Sequence, residues 1–125
     1  MYSNPDQDLN ELWWKLVEKY QFLKKPEGRD EPDWASKIHV ALYPAYYHNY
    51  LLGELLASQL YSYITTKVIK SDNTKNESFV GKSEVGEYLK NIFFAYGALY
   101  PWNELIIKST GEELTAKYYA EQFIK

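Results

Sequence analysis

Fourteen positions, Lys37 to Tyr50, hold both histidines of the chain, one lysine and four tyrosines. They read Lys37-Ile38-His39-Val40-Ala41-Leu42-Tyr43-Pro44-Ala45-Tyr46-Tyr47-His48-Asn49-Tyr50. A phenol O–H and an imidazole N–H can both donate to the oxygen of a tetrahedral intermediate. The set therefore suits stabilisation of a developing oxyanion. Lys37 can meet a carboxylate as a point charge. On a helix opening at Pro44, Tyr47 and Tyr50 would share one face, continued by Glu54 and Tyr61. His39 would precede that helix, where a loop can fold it back over the same face. The plainer reading is a satisfied hydrogen-bond cluster of histidines and tyrosines. The residues by themselves favour it, because the chain carries no self-contained catalytic machinery.

That machinery is absent by type and by spacing. There is no His-Glu-x-x-His. His39 and His48 are nine apart, which does not pair them on one helical face, and a zinc site from these two with Glu54 has no further support. With no cysteine, disulfides, thiolate zinc sites and thiol catalysis are excluded. No serine sits in a glycine-flanked elbow, and there is no glycine-rich phosphate loop. Glu84 and Glu87 read as carboxylates at a helix start, and Asp30/Glu31 and Glu112/Glu113 as solvated loop charges.

A net charge of −3 argues against a phosphate-backbone partner, so nucleic acid is not expected. The N-terminus lacks the basic-then-apolar order of a signal peptide. The longest apolar run, Leu51 to Tyr63, is broken by Glu54 and Gln59 and is too short and polar to span a bilayer. Aromatics reach 18%, with thirteen tyrosines. Tyrosine joins an apolar body to a hydroxyl that wants a partner, which suits either a cleft lining or a core with wet edges.

Helices must position the central segment. Leu9, Leu12, Trp13, Leu16, Tyr20 and Leu23 recur at three- and four-residue steps and predict a helix over 8–23, capped by Asp6 or Asp8. Residues 24–33 are a charged, proline-bearing loop. Residues 34–42 are expected to be irregular. Pro44 suits a first helical turn, and a long helix is predicted over 44–70, apolar on almost every side and so buried and central. A loop over 71–82 leads to a capped helix from Ser83 to Gly97. Pro101 opens a short helix stopped near Gly111, and a last helix covers about 115–124. The expectation is an all-α fold of about five helices, in a single helical domain over residues 1–125.

Three blocks resemble the M2 family of zinc peptidases, to which angiotensin-converting enzyme belongs. Leu12-Trp13-Trp14-Lys15-Leu16 with Lys19-Tyr20-Gln21 is similar to the family's Trp-Trp helix. Lys37-x-His39 followed by Tyr47-x-x-Tyr50 is similar to its substrate-binding run. Gly97 through Trp102-Asn103-Glu104-Leu105-Ile106, then Thr110-Gly111, is similar to its C-terminal helices. The resemblance implies the C-terminal portion of a catalytic domain that hydrolyses peptides as a peptidyl-dipeptidase or oligopeptidase. It implies that zinc is held by a His-Glu-x-x-His helix and a further glutamate outside this chain, so the chain alone would be inactive and hold no metal. It implies that Tyr50 donates to the oxyanion and His39 to a substrate carbonyl, while Lys37 and Tyr47 grip the substrate's C-terminal carboxylate. The partners implied are a peptide substrate and the remainder of the catalytic domain. The setting implied is an exported or periplasmic protein of a bacterium. Two departures stand out. The interval from His39 to Tyr47 is one residue longer than in the animal enzymes. Asn49 takes the place of a chloride-binding arginine.

Two rival readings remain at this point. One is a non-catalytic helical module whose tyrosines recognise a peptide or glycan. The other is a structural helical domain with tyrosines in its core. Self-association through apolar surface near 44–70 is also expected.

Overall fold

Asp8 starts the first helix. Its side chain accepts the backbone N–H of Glu11 at 2.9 Å, pairing one of the donors that a helix start leaves open. A computed structural model describes residues 1–124. These residues are all-α, with no strand among them. They form two compact units, residues 1–49 and residues from 50 onward, each described by itself.

In the first unit, α1 (Leu9–Gln21) ends where Phe22 adopts a left-handed conformation, φ 59°, and its N–H reaches Glu18 O. The face that packs is narrower than the spacing implies. Val17 is buried, while Leu16 and Tyr20 stay in solvent. Among the described residues the element packed most closely on α1 is a short 3₁₀ turn, Asp33–Ser36, and one turn covers one stripe. Asp33 ties the two together. It accepts Trp14 Nε1 at 3.1 Å and two bonds from Arg29, at 2.8 and 2.5 Å. Trp34 Nε1 donates to Asn10 Oδ1 at 3.2 Å. The charged loop over 24–33 is thus stitched back to the helix it leaves.

The Asp33 pairing is pH-dependent. The Arg29 guanidinium beside Asp33, helped by the Trp14 N–H, holds its carboxyl below the usual carboxylate range. A depressed folded value means stability that is present above the ordinary range and lost as pH falls through the folded value. Asp33→Asn is therefore expected to lower Tm most above about pH 4 and progressively less in more acid solution. A pH series of thermal melts on both proteins checks this, and a gap that does not narrow in acid would contradict it.

A single α-turn, α2 (Ile38–Ala41), follows Lys37 and stands where irregular chain was expected. Tyr2 Oη donates to Val40 O at 2.8 Å and draws the N-terminal segment onto it. The chain does not enter a helix at Pro44. Pro44 instead precedes Ala45, whose φ of 57° no right-handed helix admits. Proline's fixed φ fits the second position of a turn as well as the first turn of a helix. The following helix, α3 (Asn49–Tyr63), begins five residues later than the proline rule implies.

In the second unit α3 runs on into a π-helical turn, Ile64–Val68, in which Ile69 N–H reaches Ile64 O at 2.9 Å. Lys70, φ 56°, ends it at the expected place. Burial along this helix is uneven. Leu51 is exposed, while Ser58, Gln59, Ile64 and Thr65 are buried. The elements that cover the helix meet its second half. α4 (Ser83–Tyr88) packs against the π turn, and Ile64, Val85 and Tyr88 form the core with Leu60, Tyr63 and Phe79 around them. Tyr63 and Tyr88 stack at 5.5 Å, and Tyr88 Oη donates to Ser109 O at 2.7 Å. Burial pushes the Tyr88 hydroxyl up to about 12. The hydroxyl of Thr65 is buried without a hydrogen-bond partner among the described residues.

The loop over 71–82 is held by its own side chains. Glu77 accepts from Ser71 Oγ and, at 2.5 Å, from Lys82 Nζ. Its N–H donates to Tyr61 Oη at 2.7 Å. α4 continues through a second π turn, Leu89–Phe93, and a 3₁₀ turn, Phe94–Tyr96, that stops at Gly97. α5 (Trp102–Thr110) opens after Pro101 and closes at Gly111, φ 83°, a left-handed position that glycine takes without strain. α6 is Lys117–Phe123. No helix among the described residues is long and apolar enough to cross a membrane.

Candidate active site

Lys37, His39 and Tyr47 belong to the first unit, and Tyr50 is the first residue of the second. Lys37 is the exposed residue that opens α2, its carbonyl accepting Val40 N–H at 2.9 Å and Ala41 N–H at 3.0 Å. Because α2 is one turn long, His39 sits within two residues of that start, half-buried. The turn closes widely, with both Leu42 N–H and Tyr43 N–H on Ile38 O at 2.9 Å. The left-handed Ala45 then sends the chain back. That reversal brings Tyr46 and Tyr47 to the imidazole. The His39 ring stacks on Tyr47 with centroids 5.5 Å apart and planes 8° apart, and on Tyr46 at 6.1 Å and 19°.

His39 and Tyr47 are thus brought together by a route other than the one the spacing implied. Tyr47 precedes α3 and shares no helical face with Tyr50. Tyr50 lies in the first turn of α3, and Glu54 and Tyr61 follow it on that helix. Tyr61 serves the loop over 71–82, stacking on Phe79 at 5.4 Å and meeting the backbone of Glu77. Tyr46 is the residue that sequence reasoning passed over. The only hint was its place in the run Tyr46-Tyr47-His48-Asn49-Tyr50, because nothing in an alanine announces a left-handed turn. Both tyrosines of the stack are about half exposed, 48% each.

No group of three or more histidine, aspartate, glutamate or cysteine side chains among the described residues could hold a metal ion.

The sequence pattern of the angiotensin-converting-enzyme peptidases, peptidase M2, matches residues 3–123. The chain belongs to that family. The match covers the Lys37–Tyr50 run and both flanking blocks. The thermostable carboxypeptidase 1 of Pyrococcus furiosus is 31% identical over 119 residues, covering 90% of this chain and 22% of the relative. The chain therefore spans about a fifth of the length of that carboxypeptidase. No solved structure matches this M2 chain significantly.

Proposed function

We propose that this chain supplies the peptide-binding side of an M2-type peptidase cleft, acting on substrates that end in a free carboxylate. The observation that carries the reading is the ordered turn in which the His39 imidazole lies parallel to the Tyr47 ring at 5.5 Å, two residues after an exposed lysine. Lys37 would attract the carboxylate and the Tyr47 hydroxyl would fix it. His39 would donate to the carbonyl of a peptide bond, and Tyr50 to the oxygen that becomes negative as that bond is attacked. A relative named as a carboxypeptidase, which works from a peptide's C-terminal end, supports the carboxylate grip. Zinc chemistry in this reading depends on ligands beyond the described residues, which offer no metal-binding group. The remainder of the catalytic domain is the partner that would cover the exposed Leu51 and Trp102.

The test is binding without turnover. The purified chain is expected to hydrolyse no peptide and to take up no stoichiometric zinc. It should nevertheless bind a short peptide with a free C-terminus about two- to fivefold tighter than the same peptide as its amide, the scale of an exposed ion pair. Lys37→Ala should abolish the difference. Equal affinity of the wild-type chain for acid and amide by calorimetry would sink the carboxylate assignment.

A further inference from the structure

We propose that Glu54 sets substrate specificity, favouring peptides that carry a lysine or arginine within about two residues of the bond attacked. The proposal rests on the reading of Tyr50 as the donor to that bond's oxygen. Tyr50 lies in the first turn of α3, and Glu54 follows one turn later. Residues four apart on a helix stand on one face, their Cβ atoms about 6 Å apart. That face is the open one. Tyr50, Gly53, Glu54 and Ala57 are exposed, whereas Ser58 and Gln59, further round, are buried. An extended peptide advances about 3.4 Å per residue. A span of about 6 Å therefore covers the residues next to the one whose carbonyl meets Tyr50. A side chain there comes within reach of the Glu54 carboxylate, and opposite charge selects a cation.

Local structure does not call for a carboxylate at this position. Glu54 is the one charged residue of α3, whose other positions are apolar or neutral. The helix dipole favours acids in the first turn, and Glu54, sixth in the helix, lies beyond it. Its neighbours at three and four residues are Tyr50, Leu51, Ala57 and Ser58, so no lysine or arginine pairs with it along the helix. Ion pairs among the described residues join Arg29 to Asp33 and Lys82 to Glu77, not Glu54. A solvated carboxylate could stand on any exposed face, but this one shares the face of the proposed oxyanion donor. Gly53 beside it leaves room, since a Cβ added there meets nothing within 4 Å. A substrate side chain can lie against the helix at that point and bring its charge to Glu54.

The test is a peptide series read on the full chain by calorimetry and NMR. Each free-carboxylate peptide carries a single lysine, moved along its sequence. It is compared with the same peptide carrying N-acetyl-lysine, similar in reach but neutral. At one or two positions lysine is expected to bind about two- to fivefold tighter, the scale of an exposed ion pair, and to move the amide resonances of Gly53 and Glu54. Glu54→Gln should erase the difference and Glu54→Lys should reverse it, with affinity for the acetyl-lysine peptides unchanged. Glu84→Gln removes the same charge from another exposed position and should leave the preference intact, which separates Glu54 from a general attraction of the acidic chain for cations. The two levels are distinguishable. Acid and amide peptides bound alike would remove the cleft reading, and this proposal with it. Acid bound tighter than amide, but with no lysine position favoured, overturns the role of Glu54 alone. So does a preference that survives Glu54→Gln or is lost in Glu84→Gln.

Discussion

Gln59→Met is expected to cost about 2–4 kcal/mol of unfolding free energy, an unusual loss for a change that keeps side-chain volume. Gln59 is 1% exposed. Its amide nitrogen donates to Thr110 Oγ1 at 2.9 Å and Glu113 O at 3.2 Å, and its oxygen accepts Thr115 N–H at 3.0 Å. One side chain thus pairs the backbone of the segment after α5, fifty-odd residues along the chain. Methionine would remove the partner of the Thr115 N–H and of the Glu113 carbonyl, both part-buried, and of the buried Thr110 hydroxyl, and each group that water does not reach costs its desolvation. Gln59→Glu should be at least as damaging, since a carboxylate cannot donate to the carbonyl of Glu113. Urea unfolding of the two variants measures the effect. A Gln59→Met protein within about 0.5 kcal/mol of wild type, the ordinary range for surface changes, would mean that the amide's bonds add nothing net.

The second large effect belongs to the proposed chemistry. In a complete catalytic domain carrying this segment, Tyr50→Phe should lower kcat about a hundredfold, the scale of one lost oxyanion donor, with KM nearly unchanged. A contact made only as the oxygen becomes negative appears in kcat, whereas one made equally to substrate and transition state appears in KM. Tyr47→Phe supplies the contrast. A grip on the substrate's carboxylate should be felt mainly in KM. Steady-state kinetics of both variants resolve the two roles. An unchanged kcat in Tyr50→Phe would withdraw the oxyanion assignment.

Three helix boundaries were plainly legible. Gly97, Gly111 and Pro101 mark boundaries because their allowed backbone angles are nearly decisive. The all-α class followed from three- and four-residue spacing, and the family from three ordered blocks. What stayed hidden has physical causes. Gln59 reads only as a polar break in an apolar run until the segment over 110–115 is folded onto it, so its bonds are a long-range fact. Leu16 and Leu51 read as core because spacing tells which residues share a face and says nothing of whether a partner covers it. The late start of α3 hinged on Ala45, an ordinary residue in a conformation usually left to glycine. At the candidate site the lysine, histidine and tyrosines were found by type, while the stack that orders them depends on that same turn.

The two π turns bear on how relatives of different length can be compared. An i→i+5 bond encloses one residue more than the i→i+4 bond of an α-helix. Ile64–Val68 and Leu89–Phe93 are therefore places where a helix absorbs a single extra residue without disturbing the apolar contacts on either side. A relative one residue shorter at either place would close the turn as ordinary α-helix.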